Sequence, residues 1–267
     1  MTLPVFELQD VKYRYDAIVA LNGLNLSIPS GRRVSLLGPN GSGKSTLLRM
    51  LDGLCFPQSG TLLFRGEPLT SERFSDEQFG YCFRRQVGFV FQNPDVQLFS
   101  ASVFDEVAFG PLQLRWPKER IRRRVEEILD QMEIAHLRSR TPQYLSMGEK
   151  KRVALASILV LDPETLLLDE PTAGLDPRSE SRMIDFLVGC GPGVKTVIIA
   201  THDLDVVEDI SDSCCVFQEG RVLAEGTPGA ILSNTSLLEQ ANLIHSHWHT
   251  HASGEIHAHP HLHRHQH

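Results

Sequence analysis

A glycine-rich segment from Gly38 to Thr46 reads GPNGSGKST and fits the phosphate-binding pattern GxxxxGK[ST] at every fixed position. Its glycines allow successive backbone N–H groups to turn toward phosphate oxygens, in a backbone shape that side chains would obstruct. Lys44 supplies a positive charge for the β- and γ-phosphates, and the Ser45 hydroxyl can ligate Mg²⁺. We therefore expect the chain to bind a nucleoside triphosphate and Mg²⁺ through Gly38, Pro39, Asn40, Gly41, Ser42, Gly43, Lys44, Ser45 and Thr46.

The segments on either side of this loop give it the required context. Residues 33–37 form an apolar run typical of a buried strand, and residues 44–51 have the apolar spacing of a helix. Strand, glycine loop and helix follow in the order in which this pattern binds phosphate, so we prefer that interpretation to a glycine-rich turn.

Polar side chains that can act on a phosphate follow three other strand-like runs. Asp169 and Glu170 end one of them, where Asp169 can hold the Mg²⁺ shell and Glu170 can polarise the attacking water. Gln92 and His202 end two more, and ligands bind at the carboxyl ends of strands in α/β sheets. We predict that the Mg²⁺ ligands are Ser45, Gln92 and Asp169 and that the catalytic residues are Lys44, Gln92, Glu170 and His202.

The elements that must position these residues alternate between strand-like and helical patterns. Pro117 is placed to open a helix, because its fixed φ suits the first turn. The rhythm predicts an α/β fold with a parallel sheet. The pattern is β-rich over 3–37, strand-like over 60–66, helical over 102–161, strand-like over 165–169 and 194–200, and helical over 178–188.

Composition and charge exclude several classes of protein. A net charge of −7 argues against a protein that coats nucleic acid. The five cysteines contain no CxxC pair, so they indicate neither a disulfide framework nor a zinc site. We find no signal segment, and the most apolar stretch, residues 153–168, is interrupted by Asp162-Pro163. We therefore expect a protein of the reducing cytosol that does not cross a membrane alone.

The segment Leu145-Ser-Met-Gly-Glu-Lys-Lys-Arg152 resembles the signature of ATP-binding cassette (ABC) ATPases, usually written LSGGQ. Ser146 and Gly148 match it, whereas Met147 and Glu149 depart from it. The resemblance also takes in Tyr15, suited to stack on adenine, the phosphate loop, Gln92, the acidic pair, the segment Ala173-Gly-Leu-Asp176 and His202. It implies an ABC-type nucleotide-binding domain: a RecA-like core with an antiparallel β subdomain and a helical signature subdomain.

The resemblance further implies a dimer in which two ATP molecules lie between two chains packed head to tail. Ser146 and Gly148 of each chain would act on the ATP of the other, and Asp176 would lie near the seam. It places the ATPase domain at residues 3–240 and its helical subdomain at about 97–161. Residues 241–267 are expected to form a disordered tail.

Residues 91–99 and 103–112, together with Lys150-Lys-Arg152, resemble the energy-coupling-factor (ECF) branch of importers. This implies integral membrane partners, no nucleic acid and a peripheral location on the cytoplasmic face of a bacterial membrane. Leu98, Phe99 and Phe104 are candidate contacts for a membrane partner, and the alternative is that they belong to the core of the helical subdomain. We favour contact for Leu98 and Phe99, which lie beside a probable loop, and leave both interpretations open for Phe104.

Rival classes differ in length and domain number. The interval between Lys44 and Ser146 is too short for the coiled coil of a DNA-repair cassette and has no sustained heptads. A translation-type cassette usually carries two such domains. A soluble regulatory ATPase, an exporter and an importer for zinc or a vitamin remain as alternatives.

All but two of the twelve histidines lie at alternating positions in the tail. This spacing puts the imidazoles on one side of an extended chain and suits capture of a transition metal. With the importer resemblance it favours nickel or cobalt as cargo; a purification tag or a metal buffer are the alternatives. The candidate ligands are His245, His247, His249, His251, His257, His259, His261, His263, His265 and His267.

Overall fold

The computed structural model describes residues 3–191, 193, 195–250 and 256–261, with side chains described through residue 244. The strands are β1 (Pro4–Tyr15), β2 (Ile18–Pro29), β3 (Arg33–Leu37), β4 (Ser59–Phe64), β5 (Glu67–Pro68), β6 (Val87–Val90), β7 (Thr165–Asp169), β8 (Thr196–Thr201), β9 (Ser213–Gln218), β10 (Arg221–Gly226), β11 (His245–Thr250) and β12 (Ile256–His261). The helices are α1 (Lys44–Leu51), α2 (Ser71–Phe74), α3 (Glu77–Gln86), α4 (Val103–Gln113), α5 (Lys118–Gln131), α6 (Met147–Leu159), α7 (Pro177–Gly189), α8 (Val207–Ile210), α9 (Pro228–Leu232) and α10 (Thr235–Gln240).

The central sheet has six strands in the order β10-β9-β3-β8-β7-β6. All neighbours are parallel except β10, which is antiparallel to β9. Strand β7 is buried throughout, as expected for a sheet that is covered on both faces. Because parallel strands end at the same edge, the residues that follow β3, β6, β7 and β8 meet there.

A second, antiparallel sheet runs β2-β1-β4-β5. Its inner face packs against the apolar side of α1 and includes Phe6, Leu24 and Ile28, each fully buried. Helices α4, α5 and α6 form a separate apolar cluster around Val107, Val125 and Leu155. The α/β core, the antiparallel sheet and the helical part agree with the predicted fold class.

Packed residues continue beyond residue 240, the expected end of the ATPase domain. Ala241, Leu243 and Ile244 are buried and pack with Val216 of the central sheet. Strands β11 and β12 follow and pair antiparallel, which differs from the disordered tail that we expected. Within the described residues, no helix is both long enough and apolar enough to span a membrane.

Candidate nucleotide site

The phosphate loop connects β3 to α1, as the sequence predicted. Gly43, at the start of α1, has a φ of 107°, and a Cβ there would overlap the backbone oxygen of Ala20 in the second sheet. Only glycine can adopt this φ and also lie this close to the backbone of Ala20, so Gly43 allows the phosphate loop to pack against β2. The first helical N–H groups of α1 therefore face the loop, where they can bind an anion.

Lys44 and Ser42 lie inside the loop. The Lys44 ammonium donates hydrogen bonds to the carbonyl oxygens of Gly38 and Pro39 at 2.6 and 3.1 Å. Burial lowers the pKa of Lys44, while Glu170 and Asp169 oppose that shift. The Ser42 hydroxyl is buried and has no hydrogen-bond partner in the described part of the chain. An unpartnered buried hydroxyl within a cationic loop fits a phosphate oxygen.

A hydroxyl and a carboxylate at the start of α1 and the end of β7 fit a Mg²⁺ ion. The Ser45 hydroxyl donates to Asp169 Oδ1 at 3.0 Å. Burial raises the pKa of Asp169, which a cation beside it would offset. Oxygen donors of this kind are the ones Mg²⁺ prefers. Gln92 follows β6 and is exposed, and no hydrogen bond from its side chain is found among the described residues.

The Glu170 carboxylate lies beside His202 at the ends of β7 and β8. Glu170 Oε1 is 2.8 Å from His202 Nδ1, and the Thr201 hydroxyl donates to Glu170 Oε2 at 3.4 Å. The carboxylate raises the pKa of His202, chiefly through this hydrogen bond. The side chain of Glu170 is 5% exposed and that of His202 is 46% exposed. The predicted pair is thus brought together, with His202 open to a ligand and also positioned to hold the carboxylate.

Lys151 supports the backbone that carries Glu170, a role that sequence reasoning did not assign. Its ammonium donates to the carbonyl oxygens of Glu170, Pro171 and Ala173 at 2.7, 3.2 and 2.7 Å. Burial lowers the pKa of Lys151 to about 8. Glu170 has a φ of 47°, an uncommon conformation for a residue with a side chain. Lys151 lies three residues before the buried Ala154 and four before the buried Leu155, so it shares their face of the helix. This spacing is the sequence signal that could have indicated a buried ammonium.

The signature segment opens α6 through a capping box. Glu149 Oε2 accepts hydrogen bonds from the backbone N–H and the hydroxyl of Ser146 at 2.8 and 2.9 Å. These bonds lower the pKa of Glu149. A glutamate completes this box as a glutamine would, so the departure from the usual signature leaves the start of the helix intact.

Gly148 allows the first turn of α6 to approach the start of α7. A Cβ at Gly148 would overlap the Ser179 hydroxyl. That hydroxyl donates to Asp176 Oδ2 at 2.6 Å, and the hydrogen bonds to Asp176 lower its pKa. The structure therefore brings Gly148, two residues after Ser146, close to Asp176.

Tyr15 ends β1 with its side chain 40% exposed and makes an edge-to-face contact with Tyr13, at 5.0 Å between ring centroids. An exposed aromatic face is available for stacking there. The tail histidines at 245, 247, 249, 257, 259 and 261 lie in β11 and β12. His251, His263, His265 and His267 lie outside the described residues.

An exposed apolar surface, which we call the docking patch, lies on the loop after Gln92 and on α4. The patch comprises Val96, Phe99, Phe109 and Leu112, which are 68%, 61%, 41% and 52% exposed. The rings of Phe99 and Phe109 are 4.8 Å apart, edge to face. Large exposed apolar side chains that cluster in this way mark an interaction site.

Glu106, a buried residue of α4, fixes the loop that carries Phe99. Its Oε2 accepts hydrogen bonds from the backbone N–H groups of Phe99 and Ser100 at 2.8 and 2.7 Å. The predicted contact role of Leu98 is wrong, because Leu98 is 5% exposed and packs within the helical cluster. Phe104 is partly buried against the same cluster, with the Arg138 guanidinium 4.8 Å from its ring centroid.

This fold and site define an ABC ATPase. The sequence model of the ABC transporter family matches residues 21–173, and the chain belongs to this family. The chain is 54% identical over 244 residues to a nickel import ATP-binding protein, NikO of Rhodobacter capsulatus, covering 90% of this chain and 96% of the relative.

Two further comparisons concern the branch and the nucleotide. The energy-coupling factor transporter ATP-binding protein EcfA of Methanocaldococcus jannaschii is 42% identical over 240 residues, covering 90% of this chain and 85% of EcfA. A solved dimeric ATP-binding cassette in a post-hydrolysis state, bound to ADP and Pi, is 28% identical with a TM-score of 0.75, covering 84% of this chain and 98% of that chain. The resemblance to ABC ATPases of the ECF type is thereby confirmed, and the nucleotide is ATP.

Proposed function

We propose that this protein is the ATP-hydrolysing subunit of a membrane importer and that its cargo is nickel or cobalt. The observation that carries the proposal is the similarity, across nearly the whole length of both chains, to the nickel import relative. The docking patch supports a membrane partner, and the tail supports a transition-metal cargo. The protein would then lie peripherally on the cytoplasmic face of a bacterial membrane.

The residues at the strand ends divide the work of ATP hydrolysis. The phosphate loop and Lys44 hold the phosphates, and the Glu170 carboxylate orients and polarises the attacking water. His202 holds Glu170 through Nδ1, which leaves its other ring nitrogen for the γ-phosphate. Mg²⁺, when bound through Ser45, Asp169 and Gln92, would neutralise charge on the β- and γ-phosphates.

The separation of phosphate loop and signature supports a dimer. The phosphate loop contacts β2 and the end of β7, whereas Ser146 contacts Glu149 and Gly148 approaches Ser179 and Asp176 at the start of α7. We propose that two copies pack head to tail, so that the signature of each faces the ATP of the other. Loss of the γ-phosphate would then loosen the dimer and move the membrane partner.

Removing the aromatic pair of the docking patch is expected to abolish metal uptake while ATP binding is retained. Phe99→Ser with Phe109→Ser removes both aromatic rings of the docking patch, so we expect loss of co-purifying membrane proteins and of ⁶³Ni²⁺ accumulation in cells. Val188→Ser is the matched control, because Val188 of α7 is 47% exposed outside the patch. That variant should transport as the wild type does.

Two outcomes would favour other functions. A wild-type protein that co-purifies only with soluble proteins would indicate a regulatory ATPase. If the cells take up zinc or a vitamin in place of nickel and cobalt, and this uptake depends on Glu170, the proposed cargo would be wrong. The proposed importer function would still hold.

We further propose that the tail binds divalent transition metals. Within the hairpin, His245 pairs with His261, His247 with His259, and His249 with His257. Because alternate positions of a strand lie on the same face, these six positions lie on one face of the hairpin.

Deleting residues 245–267 is expected to abolish multi-site Ni²⁺ binding, measured by calorimetry, without loss of ATPase activity. The cut falls after the buried Ile244, and no cluster of metal-binding side chains occurs where side chains are described. The full-length chain should bind Ni²⁺ at neutral pH and release it near pH 5, because free histidine has a pKa of about 6.5 and must be neutral to bind.

A full-length variant with all ten tail histidines changed to Gln serves as the matched control for tail length. It should behave like the truncation. Retention of several Ni²⁺ ions by the truncated protein, or loss of its ATPase activity, would contradict a separate metal-binding tail.

A further inference from the structure

Two adjacent lysines of α6 make contacts with two different functional loops. The Lys150 ammonium lies 2.7 Å from Asp95 Oδ1, in the loop that follows Gln92. Lys151 makes the three carbonyl contacts with the loop that carries Glu170, and its side chain is buried. The same helix begins at the signature residue Ser146.

On the Lys150 side, α6 holds the loop by more than one contact. The Gln97 side-chain amide donates to the carbonyl oxygen of Ala154 and to the Ser157 hydroxyl at 2.9 and 3.2 Å. Its oxygen accepts a hydrogen bond from the backbone N–H of Phe91 at 3.2 Å. The loop of the docking patch is therefore attached to α6 on both sides of Val96, through Asp95 and Gln97.

On the Lys151 side, the contact reaches the backbone of the catalytic carboxylate. An ammonium has three donors, and all three are used on the carbonyl oxygens of residues 170, 171 and 173. The Glu170 N–H donates to the Ala200 carbonyl oxygen at 2.9 Å, which fixes the other side of the same residue. A shift of α6 would thus be passed to Glu170 through its main chain.

We propose that Lys150 and Lys151 are positioning residues that link the docking patch to Glu170 through α6, so that engagement of the membrane partner sets the rate of ATP hydrolysis. The inference rests on the proposed importer function for its partner. It adds the route by which the membrane partner acts on ATP hydrolysis. Neither lysine belongs to the phosphate loop or to the other residues assigned to ATP.

The test compares ATPase kinetics of the protein alone and in complex with its co-purified membrane subunits. Lys150→Met keeps the length of the side chain and removes the ion pair, so basal kcat should match the wild type while stimulation by the membrane subunits is lost. Lys151→Met should lower basal kcat at least about tenfold with little change in KM, because the carboxylate is misplaced and the ATP contacts are not.

Conservative variants separate positioning from general damage. Lys150→Arg should restore stimulation, because it restores a cation opposite Asp95. Lys151→Gln keeps two donors and should recover part of the lost kcat, and it carries the test if Lys151→Met fails to fold.

Several results would overturn the link. These are normal stimulation of Lys150→Met, an unchanged kcat in Lys151→Met, or equal losses in Lys151→Met and Lys151→Gln. If the membrane subunits stimulate Lys150→Met normally while the wild-type complex imports nickel, the proposed link through α6 is wrong and the proposed importer function is supported. If no membrane protein stimulates the wild type, both fail.

Discussion

Glu170→Gln is expected to bind ATP as tightly as the wild type and to lose nearly all turnover. The substitution removes the carboxylate that polarises water and leaves the phosphate loop unchanged. General-base residues contribute about 10²- to 10⁴-fold to rate, and we expect kcat to fall by that factor with little change in ATP affinity. Steady-state phosphate release and equilibrium ATP binding measure the two quantities.

A second measurement checks that the defect arises at the Glu170–His202 contact. Because the carboxylate raises the pKa of His202, the neutral glutamine should return that pKa toward its ordinary value, as seen in an NMR titration. Glu164→Gln is the matched control, since Glu164 lies before β7 and pairs with the exposed Arg65. Hydrolysis by Glu170→Gln at near the wild-type rate would show that Glu170 is not the base.

Mixing two inactive variants should restore activity through one intact composite site. Lys44→Ala removes the ammonium of the phosphate loop and should weaken ATP binding about 10- to 100-fold. Ser146→Arg blocks the signature surface. In a mixed dimer, one ATP site contains both substitutions, and the other contains a native phosphate loop and a native signature. The ATPase activity of the mixture should therefore exceed that of either variant alone.

Control variants are needed because Ser146 also caps the N-terminus of α6. Ser146→Thr keeps the hydroxyl and the N-cap, so alone it should stay active. The thermal midpoint of Ser146→Arg should fall only modestly, since loss of an N-cap costs about 1 kcal/mol. Mixtures no more active than the separate variants, with mixed dimers shown to form, would contradict the head-to-tail arrangement.

The sequence predicted the parts of the fold that depend on local pattern. The strand predicted at 165–169 is β7 as the structure has it, and the phosphate loop lies between a strand and a helix as expected. These features depend on runs of apolar residues and on glycines with required φ values, both of which are visible in one stretch of chain.

Features that depend on tertiary contacts were not predictable. Leu98 and Phe99 are neighbours of similar character, and only the tertiary structure shows that Leu98 packs into the helical cluster while Phe99, held through its N–H by Glu106, faces solvent. The buried Ile244 lies in a short segment without periodicity, so its burial was not predictable from the sequence. From the sequence alone, Lys151 is expected to be a solvated lysine on a helix. Its burial depends on the carbonyl oxygens of residues 170, 171 and 173, which are distant in the chain.

The burial of Ile244 has a thermodynamic consequence. Ile244 packs with Leu37 and Val216 of the central sheet, and the proposed metal ligands all follow it in the chain, so metal capture by the tail would not need the folded nucleotide site. A ligand that binds the folded and unfolded states equally does not shift the folding equilibrium. Loading the tail with metal would therefore leave the unfolding free energy of the domain unchanged, whereas ATP, which needs the folded site, would raise it.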